Sequence, residues 1–328
     1  MSLSEHLPDS AVLAFGGNAL KENGKGGNTI EAQRRAMRRA AEIIVAIRQL
    51  IEKIGVTHGN GPQVGWLMQQ AELAMTQGFP PLPLSCAVAQ TQASIGANMG
   101  NQIVGVDSSL RGKVSVVTTQ VRVDANDPDF ENPSKPIGDF MSAKVAQEMR
   151  EKYGWIIQER QDGQNGKPFR RVVASPEPKE IEEIQSIQTL VNGKIITICV
   201  GGGGIPFILK GDGTMEWIDA VIDKDLASAV AAAALHFKLL AIFTAEQGIY
   251  DPDDFKRKQA GDNSVKPIPL ITVADLQQME EYLPSGSMGP KARALRRFAE
   301  TGGTAWVGPL ENGFEALTKG KGTTVVPD

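Results

Sequence analysis

Residues 11–17 read AVLAFGG, an apolar run that stops on two glycines. Such a run has no polar face, so it reads as a strand buried on both sides, as in a parallel sheet. A strand that ends on Gly16-Gly17 ends where something must come close to its backbone. On the C-terminal side of this run, helical patterns alternate with further β-rich runs. The spacing of Met37, Ala40, Ile44, Ile47, Ile51 and Ile54 predicts a helix over residues 29–53. Only a short strand is expected in IGVTHGNG after it. PQVGWLMQQAELAM and the stretch after PPLPLSCAVAQTQ read as helices, and KVSVVTTQVRVD (113–124) as one strand. Residues 125–170 are rich in proline, glycine and charge around a short helix (142–152), an excursion from the main sheet. Alternation resumes at RRVVASP and continues through KIITICVGGGG, DKDLASAVAAAAL, LLAIFTA, PKARALRRFAETGG, TAWVG and TTVVPD. This order predicts an α/β fold, a mainly parallel sheet with helices on both faces.

Composition narrows the functions available. The 328 residues carry a formal net charge of −4, which argues against a nucleic-acid surface. No apolar run is long enough to span a bilayer, and residues 1–10 lack a signal-peptide pattern, so a cytoplasmic protein is expected. Cys86 and Cys199 read as reduced thiols, and no zinc-ligand spacing is present. Arg34, Arg35, Arg38 and Arg39 read as a solvated face.

The glycine pair recurs at Gly59-Asn60-Gly61 and at Gly201 to Gly204, again after apolar runs. Ligands of parallel sheets bind at the carboxyl ends of the strands, where backbone N–H groups and helix N-termini attract phosphate. Three such turns suggest one site for an elongated anion. No P-loop is present, and GNGPQVG is one residue too long for the dinucleotide fingerprint. Three lysines stand in favourable settings: Lys135 between prolines in the excursion, Lys224 between Asp223 and Asp225, and Lys291 after GSMGP. Of the three histidines, only His58 lies beside a glycine turn. The shortage of bases points to transfer onto a nucleophile that is already ionised, driven by positioning and electrostatics.

In order along the chain, AFGGNAL, THGNGPQVG, NPSKPIG, RRVVASPEP, GGGGIPF, DAVIDKDLAS and GSMGPK closely resemble the carbamate kinase family, from residue 12 to about 326. The resemblance implies the amino-acid-kinase fold, a three-layer α/β/α sandwich with a small protruding subdomain at about 125–170 and usually a homodimer. It implies one domain, with an acyl-substrate lobe (about 11–192) and a nucleotide lobe (about 193–328). The implied reaction is ATP plus carbamate giving ADP plus carbamoyl phosphate, with Mg²⁺. Lys135, Lys224 and Asp225 would be catalytic. Gly16, Gly17, Asn18, Gly59, Asn60 and Gly61 would hold the phosphoryl and carbamate groups. Gly201, Gly202, Met288 and Lys291 would meet the nucleotide. Whether the metal has a direct protein ligand stays open. Two alternatives also stand: a related kinase on another small acid or phosphate, and a non-catalytic nucleotide-binding paralogue. The first is motivated by Ala93 and Ala97, which replace the family's usual glycine and tyrosine. A methyl at Ala93 is expected to crowd the backbone or abolish a positive φ.

Overall fold

The computed structural model describes residues 7–17, 29–164, 166–262, 264–283 and 288–328. Strand β1 (Ser10–Phe15) leads to α1 (Ile30–Arg48), β2 (Lys53–His58), α2 (Gly61–Met75), α3 (Leu84–Val106), β3 (Val114–Val116) and β4 (Gln120–Arg122). The excursion follows as β5 (Lys135–Met141), α4 (Ala143–Tyr153), β6 (Ile157–Gln164) and β7 (Lys167–Val173). The chain returns through β8 (Glu180–Ile181), α5 (Ile184–Asn192), β9 (Ile196–Ile198), β10 (Ile205–Leu209), β11 (Met215–Trp217) and α6 (Lys224–Ala234). It finishes with β12 (Leu239–Thr244), α7 (Pro252–Gln259), β13 (Leu270–Thr272), α8 (Val273–Met279), α9 (Met288–Ala299), β14 (Thr304–Pro309), α10 (Gly313–Thr318) and β15 (Thr323–Val326).

The central sheet runs β13-β15-β14-β12-β1-β2-β9-β3, and among these pairs only β14–β15 is antiparallel. Alternate residues of β1 feed two cores. Ala11, Leu13 and Phe15 pack with Met37, Ile44, Met99 and Trp306 on one face; Val12 and Ala14 pack with Leu226, Leu295 and Phe298 on the other. This is the three-layer sandwich with a mainly parallel sheet, and it explains why β1 shows no alternation.

Three sequence-derived boundaries change. Helix α1 stops at Arg48 rather than near residue 53, because Leu50 N–H and Ile51 N–H both close onto Ile47 O. Ile54 therefore belongs to β2, a full six-residue strand between β1 and β9. KVSVVTTQVRVD divides at Thr119 into β3 of the central sheet and β4 of a second, four-stranded sheet, β11-β10-β4-β8. β7 does not resume the main alternation; it is the middle strand of an antiparallel sheet, β5-β7-β6, that extends the excursion to Val173. With α4, capped by the Ser142 hydroxyl, this sheet forms a flap with its own core of Met75, Met141, Ala146, Trp155 and Ile157.

Candidate active site

β1, β2 and β9 are neighbours and parallel, so their glycine turns meet at one edge of the sheet. The approach is close enough to demand glycine. A Cβ on Gly59 would stand 2.4 Å from Gly17 N, and one on Gly202, where φ is +66°, 2.1 Å from Asn60 Nδ2. A cleft of about 320 Å³ opens there, bounded by Gly16, Gly17, Gly59, Asn60, Gly61 and Gly202. Lys135, Lys224, Asp225 and Lys291 line its other walls.

Asn60 occupies the N-cap position of α2, yet its side chain does not cap the helix. Its Nδ2 instead donates to Thr91 Oγ1 on α3, at 2.9 Å. The fifteen-residue helix thus turns a side-chain-uncapped positive end toward the cleft. Helix α6 is treated oppositely. Asp223 Oδ1 accepts from Asp225 N–H at 2.9 Å and Leu226 N–H at 3.3 Å, which fixes the first turn carrying Lys224 and Asp225. Ser228 O–H donates to the Lys224 carbonyl at 2.6 Å, so Thr57 O–H donates to Ser228 Oγ, at 2.7 Å. That pair ties α6 to β2.

Asp225 is 2 % exposed and holds both lysines of this wall. Its Oδ1 pairs with Lys224 Nζ, and its Oδ2 lies 3.2 Å from Lys291 Nζ. Burial alone would raise its pKa, but the two ammonium groups outweigh burial and hold the carboxyl below the usual carboxylate range. Lys135 reaches the cleft from the flap, as the first residue of β5.

His58 is 1 % exposed beneath the turns, with Nδ1 donating to Gly59 O at 3.1 Å. Burial pushes its pKa down to about 4 against that hydrogen bond, and the Lys224 charge acts in the same direction as burial. The imidazole is neutral at pH 7 and covered by Gly201, whose Cβ would stand 2.6 Å from Nε2. No group of three or more His, Cys, Asp or Glu able to hold a metal occurs among the described residues. Both Asp225 oxygens face ammonium groups, so that carboxylate is not open to a cation.

The remaining sequence-derived site residues lie behind the cleft or outside the description. Gly201 sits between His58 and Gln92, and Met288 packs in the core at the start of α9. Asn18 falls outside the described residues. Ala93 and Ala97 are exposed on the outer face of α3, where backbone geometry is helical, so the expected crowding and loss of a positive φ do not arise.

Residues 9–307 match the amino acid kinase family. The chain belongs to that family. Among its relatives, the carbamate kinase of Oenococcus oeni is 38% identical over 323 residues, covering 96% of this chain and 97% of that one. The carbamate kinase of Pyrococcus furiosus is 37% identical over 326 residues, covering 96% and 98%. The solved structure of carbamate kinase from Giardia lamblia bound to AMP-PNP superposes with a TM-score of 0.86 at 31% identity, covering 98% and 99%.

Within this member of the family, some supports of the site escaped the sequence reading. Gln92 accepts from Thr119 N–H at 2.7 Å and donates to Thr119 O at 3.0 Å, while Thr119 Oγ1 accepts from Val200 N–H at 2.9 Å. This buried clamp holds the third glycine turn. The segment AQTQASIG carries the signal in Gln92, a polar residue beside Ala93.

Proposed function

We propose that the chain is a carbamate kinase, transferring a phosphoryl group reversibly between ATP and carbamate to give ADP and carbamoyl phosphate. The observation that carries this reading is the cleft's charge layout: Asp225 holds Lys224 and Lys291 in a cleft that Lys135 and the side-chain-uncapped start of α2 also line. Phosphoryl transfer needs charge stabilisation and in-line positioning more than covalent chemistry. Carbamate is already an anion, so its oxygen attacks the γ-phosphorus while the bond to the ADP oxygen breaks, and no proton has to be removed. The neutral, covered His58 fits that economy.

In this reading Lys135 and Lys224 neutralise charge on the phosphoryl in flight, and Asp225 orients Lys224. N–H groups of Gly17, Asn60 and Gly61, together with Asn18, receive the carbamate and phosphoryl oxygens. Those of Gly16 and Gly59 are engaged by the Phe243 and Phe15 carbonyls, so these two glycines serve by leaving room for close approach rather than as donors. Lys291 and the Gly202 turn meet the nucleotide phosphates, with Gly201 and Met288 supporting them from behind. The acyl group then belongs to the N-terminal part and flap, the nucleotide to the C-terminal part. Magnesium enters on the nucleotide's phosphates as part of the substrate. A homodimer and a cytoplasmic setting complete the proposal; among the described residues no helix is long and apolar enough to cross a membrane. The alternative acid substrate loses its motive, because Ala93 and Ala97 face away from the core.

The deciding experiment measures ATP formed from ADP, Mg²⁺ and carbamoyl phosphate, with Lys135→Ala beside the unchanged chain. Robust ATP is expected, falling by about 10²–10³-fold in the variant. No ATP from a folded chain that binds ADP would refute the reading.

A further inference from the structure

We propose that Arg171 and Asp219 are positioning residues that set where Lys135 stands over the cleft; the inference rests on the carbamate kinase reading above. Lys135 has no fixed place unless the flap has one. Its strand pairs with β7 so that Lys135 lies opposite Val173, and Ile137 opposite Arg171. The Arg171 side chain is only a tenth exposed, and its Nη2 lies 3.0 Å from Asp219 Oδ2. The guanidinium carbon also stands 4.4 Å from the Trp155 ring centre, within the flap. A planar guanidinium held on an aromatic face leaves little freedom in the direction of its ion pair.

The other Asp219 oxygen, Oδ1, accepts from Leu84 N–H at 3.0 Å. Leu84 opens α3, whose N-cap residue, Pro83, offers no side-chain cap. One carboxylate therefore joins the flap to the helix that carries Thr91 and Gln92. From Asp219 the chain runs straight to the reacting charges. Ala220 pairs in parallel with Ala174, Val221 N–H donates to Ala174 O at 3.0 Å, and Val221 to Asp225 line the cleft. Lys135 is thus connected to Lys224 through the Val173 pairing, the Ala174–Ala220 bridge and three further residues. Arg171 and Asp219 pin that path at its outer end, beside a cavity of about 380 Å³ between flap and body.

The Asp219 side chain is 42% exposed and screened by water while the Arg171 side chain is a tenth exposed, so losing the pair carries a modest cost in stability. Its effect on geometry is larger, because displacing a reacting group by about 1 Å can cost on the order of 10²-fold in rate. A positioning role therefore predicts a loss of turnover, in a chain that stays folded, larger than the modest loss of stability accounts for.

Asp219→Asn keeps an oxygen for Leu84 N–H and removes the charge facing Arg171. We expect kcat to fall about tenfold, with the KM for ADP unchanged and the chain still folded at the assay temperature, its thermal midpoint only modestly lowered. Arg171→Lys, which keeps charge but loses the planar fork, should fall by a similar factor. In a Lys135→Ala background, Asp219→Asn should cost nothing more, since the group it positions is gone. Hydrogen exchange of the Lys135–Met141 amides should quicken in Asp219→Asn while that of β1 and β2 does not. Full kcat in Asp219→Asn, or the same fold loss in both backgrounds, would overturn the proposal. If the unchanged chain makes no ATP from carbamoyl phosphate, it is the carbamate kinase reading that fails. Exchange then decides the anchor by itself: unaltered β5 protection sinks it, and quickened exchange upholds it.

Discussion

Asp225 shows how one residue can prepare a site for an anion. Three lysines around the cleft face two aspartates, Asp223 and Asp225, which leaves a single net positive charge before substrate binds. Asp223 spends an oxygen on the α6 amides, and Asp225 lies between two ammonium groups, so both acids orient rather than repel. His58 shows the opposite logic, a titratable group kept neutral by burial. Its pKa is about 4 in the fold and 6.5 when free, so the unfolded chain binds a proton that the folded chain refuses between those values. Stability must then rise with pH across that window: the contribution is complete above about pH 6.5 and lost as pH falls toward 4. The shift corresponds to about 3 kcal/mol. Urea unfolding at pH 7 and at pH 4.5 should show a loss of that order, and His58→Asn should flatten the difference. Equal pH dependence in the two proteins would show that another group is responsible. The lysines and glycine turns were legible because each is a local pattern. The Arg171–Asp219 and Gln92–Thr119 pairs were not, since their partners lie 48 and 27 positions apart and no periodicity links them.

At the scale of elements, α2 matters more for its end than for its length. Asn60 is a residue type that ordinarily caps a helix, but here its amide is diverted to Thr91 and no side chain caps α2. Asn60→Asp tests this with a change of one functional group. An aspartate reverses the bond: Thr91 O–H, which now donates to the Ala87 and Val88 carbonyls of its own helix, must turn to donate to the carboxylate, a side-chain rotation that leaves the backbone and the fold in place. Its charge, however, would stand at the positive end of α2 and repel anionic substrate. We expect kcat/KM for carbamoyl phosphate to drop by roughly tenfold or more, with the deficit shrinking as salt is added. A loss that salt does not relieve would point to broken packing instead. Element type was readable where periodicity is strong, as in α1 and α9. Boundaries were not, as at 113–124, where Thr119 turns the chain from one sheet into another and both halves keep the same β-rich composition.

Across the whole molecule, the sheet does not respect a division of the chain near residue 192. β9 lies between β2 and β3, and β1 pairs with β12, so each half supplies strands that the other must flank. Sequence order hides this, because a crossover that returns to an earlier strand leaves no local trace. The acyl and nucleotide regions would therefore be functional zones of one cooperative core. Hydrogen exchange on the full chain can test the idea. Opening only one half would strip β1 of β12, or β2 of β9, and expose both neighbours' ladders along with the apolar faces beneath them. Amides of β1, β2, β9 and β12 should therefore exchange through a single opening, with one free energy and one denaturant slope. The flap sheet, with its own small core, should open at lower cost. Two slopes dividing β1 and β2 from β12 would mean separate folding units, and would restore the boundary that the strand order argues against.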